Sequence, residues 1–161
     1  MKTIYVGVGD FAASKEPNHL IKTLALGSCV AVVVLDVEHK AVGLLHVALP
    51  DSSINRKRSL ERPGMFADSG IPALLEEMRK LGYNGNGRVV VKLAGGASIM
   101  DPNNTFNIGK RNILAVKKCL WRHKLGALAE DVGGSISRSV SVNVRTGKVV
   151  ISSPGRGEWE I

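Results

Sequence analysis

The chain has 161 residues, a formal charge of +8 and two cysteines far apart in sequence. This length suits one domain, expected to span residues 1–161, with a core that needs no staples, and the distant cysteines exclude a disulfide framework in favour of a reduced, cytoplasmic setting. The positive charge asks for an acidic partner, whether nucleic acid, an anionic membrane or an acidic protein surface. The stretch MKTIYVGVGDF is broken by Gly7, Gly9 and Asp10. No segment reaches the length of a membrane span, so direct membrane insertion is not expected.

In chain order, Thr3 to Val8 is predicted as a strand and Gly9 to Asn18 as a loop. His19 to Leu26 then leads into the stretch around which the chain is organised, TLALGSCVAVVVLDVEHKAVGLLHVALP, from Thr23 to Pro50. Val30 to Leu35 is a β-branched run and Ala41 to Leu49 a second apolar run, with the polar link Asp36 to Lys40 between them. That pattern predicts a hairpin. A loop centred between Glu38 and His39 sets Ala31 opposite His46 and makes Cys29 the diagonal neighbour of His46 on one sheet face. A slip of one residue would separate the two.

Where they meet, a neutral imidazole can take the thiol proton and its imidazolium can stabilise the thiolate. Gly27 and Ser28 let the backbone approach closely and could offer N–H groups to a developing oxyanion, making them candidate substrate-binding residues. The Thr23 hydroxyl could accept the imidazole N–H and fix its tautomer, although Gly27 interrupts the strand and parity does not place Thr23. The bland alternative stays open: Cys29 as a small buried hydrophobe, His46 as a strand histidine satisfied by a carbonyl, Thr23 as a strand former.

Arg56, Lys57, Arg58 and Arg62 form the densest basic cluster, lack interleaved aromatics and are predicted to lie in a solvated loop. Asp68 or Ser69 is expected to cap a helix from Ile71 to Leu81, with Pro72 in its first turn and Gly82 after its end. Arg88 to Leu93 is a buried strand. In LAGGASIM, Leu93 to Met100, the glycines match no phosphate or dinucleotide pattern, so Gly95 and Gly96 are assigned to close packing. A polar loop over Asp101 to Asn107 precedes a second helix, Gly109 to Lys124, with Ile113, Val116 and Leu120 on one face. It carries Cys119 and His123, a rival reactive pair four residues apart but without further metal ligands. His19 and His39 have no evident partner. Ala127 to Ile151 reads as strand, Gly133-Gly134 turn and hairpin, and PGRGEWEI as irregular. The predicted fold class is α/β (α+β): a layered domain of largely antiparallel or mixed β-sheets with two main covering helices.

The motifs VGVGDFAASK, TLALGSCVAVVVLD, GLLHVALPDS, FADSGIPALLEEM, KLAGGASIM, NIGKRN and DVGGSISRSV together resemble the CheD family of chemoreceptor glutamine deamidases. The resemblance runs over nearly the whole chain, and the spacing of LGSC and LLHVALP is its specific part. It departs at Phe66, where tyrosine is expected, and at Ser137, where glycine is common before Arg138. The resemblance implies Cys29 as nucleophile, His46 as base and Thr23 as third member. It implies hydrolysis of selected glutamine side chains to glutamate on the cytoplasmic helical region of methyl-accepting chemotaxis receptors, through a thioester and without metal or organic cofactor. Methylesterase activity and pairing with CheC, a phosphatase of the response regulator CheY, occur in the family. A binding module regulating a CheC-type partner is the alternative, and a nucleic-acid binder a distant third.

Overall fold

In the computed structural model, which describes residues 1–99, 103 and 105–161, ten strands form two five-stranded sheets. Met100, Asp101, Pro102 and Asn104 fall outside that description, so the loop expected over Asp101 to Asn107 lies partly outside the described residues. The first sheet runs β1 (Lys2–Tyr5), β3 (His19–Leu26), β8 (Arg138–Asn143), β9 (Val149–Ser153) and β10 (Gly157–Glu160). The second runs β2 (Phe11–Ser14), β5 (Ala41–Val47), β4 (Val30–Asp36), β6 (Val89–Gly95) and β7 (Ala127–Val132). Among these ten strands, β1 with β3 and β6 with β7 pair in parallel and the other neighbours antiparallel. The helices are α1 (Arg56–Glu61), α2 (Ala67–Arg79) and α3 (Ile108–Arg122).

Every residue of β4 and β5 is buried, because the second sheet is covered on both faces. Val30, Val32 and Val34 share a cluster with Leu74, Leu75 and Met78 of α2 and with Val116 and Leu120 of α3. Ala31, Val33 and Leu35 belong to the other cluster, with Ile21, Val140, Val142 and Ile151 of the first sheet. The layers are therefore sheet, sheet and helices, and each fully buried Val or Leu contributes roughly 1.5–3 kcal/mol. The mixed α and β class matches expectation.

Several segments differ from their expected form. The loop expected over Gly9 to Asn18 contains β2, a four-residue edge strand that pairs antiparallel with β5 and so needs little hydrophobic signal of its own. The basic cluster is partly helical, since the Asn55 side chain accepts the Arg58 N–H and starts α1, and Arg62 ties itself to Asp10 at 2.6 Å. Helix α2 starts a turn early, because the Ala67 N–H is satisfied by the Leu49 carbonyl rather than by a side-chain cap. Asp68 instead accepts from the Ser52 N–H and hydroxyl, Ser69 donates to Pro63, and Pro72 lies inside the helix rather than in its first turn. The irregular tail holds β10, which pairs with β9 and sends the Trp159 indole N–H to Asp131 at 2.6 Å.

Among the described residues no helix is long and apolar enough to cross a membrane.

Candidate active site

The hairpin register sets the site. Ala31 pairs with His46 and Val30 with Val47, as the loop length predicts. Cys29, one residue before β4, is half-buried and packs against the inter-sheet cluster that also holds Ala31. His46, opposite Ala31, points into the same layer. Thr23 arrives from the other sheet. Between Thr23 and Leu26 the β3 register shifts, with Ala25 at φ 53°, and this bulge lets both Thr23 and Leu26 face inward. Gly27 and Ser28 then carry the chain across to the second sheet, which is why strand parity cannot place Thr23 relative to Cys29.

The Thr23 hydroxyl donates to the Val6 carbonyl at 2.6 Å and lies 2.7 Å from His46 Nδ1. A hydroxyl has one hydrogen. With that hydrogen committed to Val6, Thr23 must accept from Nδ1–H, so the lone pair of the neutral ring is on Nε2. That atom is buried and has no hydrogen-bond partner. It is the atom a base would use.

Burial lowers the His46 pKa to about 4, the field of Asp10 only partly opposing it, and burial raises that of the Cys29 thiol, offset in part by the thiol's own backbone N–H. The resting pair is therefore neutral thiol and neutral imidazole, not the ion pair that spacing alone suggests. One consequence is measurable through folding. Between pH 6.5, the ordinary histidine value, and about 4 the unfolded chain binds a proton at His46 that the folded chain refuses. Stability present above pH 6.5 should thus be lost as the pH falls through that window, by roughly 3 kcal/mol. The thermal midpoint of the wild type should drop more over this range than that of His46→Gln; parallel curves would refute the assignment. Alkylation of Cys29 by iodoacetamide should likewise climb past pH 9.0 without a plateau near neutrality.

The cysteine loop is tied down on one side. The Gly27 carbonyl accepts from Ala97 N–H and the Cys29 carbonyl from Gly96 N–H, each at 2.8 Å. Gly95, at φ +109°, comes so close that a β-carbon there would fall on the Cys29 carbonyl oxygen. The glycine pair thus packs against the cysteine loop, as expected. Beside it opens a groove of about 870 Å³, bordered by Gly27, Ser28, Ala97, Gly109 and Gly134.

Of the rival pair, Cys119 is buried in the core beneath α3 and His123 lies past the helix end, while no group of three or more metal-ligating side chains gathers among the described residues. His19 and His39 do have partners, Ser14 and Asp36, each at 2.7 Å. Sequence reasoning missed Asn112, whose carboxamide donates to the Ser28 and Ala48 carbonyls. The signal was available: Asn112 lies one turn before Val116 on the apolar stripe of α3, a polar residue where the core asks for an apolar one.

A family model described as CheD chemotactic sensory transduction matches residues 48–153. A probable chemoreceptor glutamine deamidase CheD of Syntrophotalea carbinolica is 52% identical over the whole of both chains. The chemoreceptor glutamine deamidase CheD of Thermotoga maritima is 42% identical over 95% of this chain and 93% of its own. The chain belongs to the CheD family. Among solved structures, a Neisseria meningitidis protein of the DUF152 family shares the fold at a TM-score of 0.50 and 9% identity. That match covers 83% of this CheD chain and 64% of the neighbour's length, and it speaks for the fold alone.

Proposed function

We propose that this chain deamidates glutamine side chains of methyl-accepting chemotaxis receptors to glutamate in the cytoplasm, with Cys29 as nucleophile, His46 as base and Thr23 as orienting residue. The observation that carries the reading is the Thr23 hydroxyl, committed to Val6 and therefore holding His46 in the tautomer with Nε2 free. Relatives named for this activity, and matched over nearly their full length, support it.

Because thiol and imidazole rest neutral, the proton passes from Cys29 to His46 Nε2 as sulfur attacks the amide carbon, not beforehand. The oxyanion intermediate collapses, the imidazolium gives its proton to the leaving nitrogen, and ammonia departs from a thioester. Water, deprotonated by His46, cleaves the thioester to glutamate and free thiol. Gly27 and Ser28 border the groove that would receive the side chain. Thr23 orients the ring through a neutral oxygen, which holds an imidazolium less strongly than a carboxylate would and agrees with the low histidine pKa. Replacing Thr23 with valine, similar in shape but without the acceptor, should lower kcat by about 10- to 100-fold and leave KM nearly unchanged. Unchanged kcat in steady-state ammonia release would remove Thr23 from the mechanism.

The test of the function is ammonia release with mass mapping of glutamine to glutamate on receptor cytoplasmic fragments. Conversion supports the reading, and its absence across several receptors refutes it. The neutral resting pair also favours a second reading, a slow enzyme acting chiefly as a binding module for a CheC-type phosphatase. In that case Cys29→Ala would keep both partner binding and its effect on phosphatase turnover.

A further inference from the structure

Asn112 is 0% exposed, at the first helical turns of α3, and its Nδ2 lies 2.9 Å from the Ser28 carbonyl and 3.0 Å from the Ala48 carbonyl. Both neighbours are pure acceptors, so the carboxamide can face only one way and both its hydrogens are spent. Its Oδ1 is buried without a partner. An orphaned carbonyl of this kind is destabilising, a penalty that an apolar side chain at this position would avoid. What asparagine alone supplies here is the pair of N–H groups.

Those two bonds reach the two loops that matter. Ser28 precedes Cys29, and Ala48 follows His46 by two residues at the exit of β5. The Ser28–Cys29 peptide is trans, so its C=O and N–H point in opposite directions. With the carbonyl drawn toward Asn112, the Cys29 N–H is driven to the other edge, where it lies beside its own sulfur. No oxygen of the described residues accepts it. The carbonyls of Gly27 and Cys29 are held by Ala97 and Gly96, so three consecutive carbonyls are fixed and the N–H groups between them have set directions.

We propose that Asn112 is a positioning residue of the deamidation: its carboxamide sets the Ser28–Cys29 peptide so that the Cys29 N–H faces the oxyanion of the tetrahedral intermediate, and holds that loop at fixed spacing from the strand bearing His46. The inference rests on the deamidase reading above. Asn112 acts through the backbone and touches neither substrate nor reacting atoms.

The decisive variant is Asn112→Asp, which keeps the shape but replaces the donating NH₂ by an oxygen facing two carbonyls. A carboxyl buried there binds a proton readily and then recovers one of the two donors. The expected result is a kcat lower by about 10- to 100-fold at pH 8, counted per folded molecule as judged by circular dichroism, with KM within about twofold. Activity should partly recover toward acid pH through an ionisation the wild type lacks. A merely structural role would lower the folded fraction while leaving kcat per folded molecule and the pH profile as in the wild type, and that result would overturn the proposal. Should the variant not fold, amide exchange in the wild type decides: both Asn112 Nδ2 hydrogens should exchange as slowly as core backbone amides, and rapid exchange would sink the clip. A wild type that releases no ammonia removes the deamidase reading by itself, while the exchange result still judges the clip.

Discussion

Replacing Cys29 with alanine should abolish conversion of glutamine to glutamate on a receptor fragment, with kcat falling by at least about 10³-fold. The reason is chemical: alanine offers no atom that can form the thioester, and water at the same place would have to attack an amide unaided. Folding should hardly notice. Cys29 is half-buried, behaves as a small hydrophobe, and neither its carbonyl's bond to Gly96 nor the bond from Asn112 to the preceding Ser28 carbonyl involves the sulfur. The thermal midpoint of the variant should therefore remain within a few degrees of the wild type. Ammonia release and mass mapping on equal folded concentrations check both halves. If the alanine variant retains more than about a tenth of the activity, Cys29 is not the nucleophile and the family's reaction must run through another group.

The second large effect is expected at Gly95, through the fold rather than the chemistry. Gly95 ends β6, pairs with Val30, and sits at φ +109° with its missing side chain aimed at the Cys29 carbonyl oxygen. A methyl group there meets backbone, which cannot swing away as a flexible side chain would, in a conformation that L-residues rarely adopt. Gly95→Ala should cost on the order of 3 kcal/mol in urea unfolding and should also displace the Cys29 loop, lowering kcat in the fraction that folds. Gly85→Ala is the control. Its φ is +82° and nothing lies within 4 Å of the added carbon, so only the backbone strain remains, about 1 kcal/mol. Equal losses for the two variants would show that the approach to Cys29 carries no weight.

The parts of this molecule legible in sequence were those with strong local periodicity. The β4–β5 hairpin followed from two apolar runs and a short polar link, and its Ala31–His46 register from centring the loop between Glu38 and His39; with both faces of these strands buried, the apolar pattern alone does not choose the register. The stripes of α2 and α3 were equally plain, although the start of α2 was not, since its first amide is satisfied by a distant strand exit. Strands β2 and β10 escaped because each is four residues long and lies at a sheet edge, where pairing with a neighbour does what hydrophobic patterning does elsewhere. Thr23 could be suspected but not placed, because a bulge and a change of sheet separate it from Cys29. The neutral state of the thiol and imidazole was not legible at all: it depends on how three layers exclude water, which no short stretch of sequence records.

The bond from Thr23 to His46 joins one sheet to the other. Neither sheet alone fixes the His46 tautomer, so under the proposed mechanism the reaction is a gauge of how the two slabs are seated on each other. A sideways slide of a fraction of an ångström would leave every strand and helix intact and still free the imidazole to rotate. On warming, turnover should fade while circular dichroism still reports full secondary structure, and the gap between those two curves measures how loosely the slabs are held.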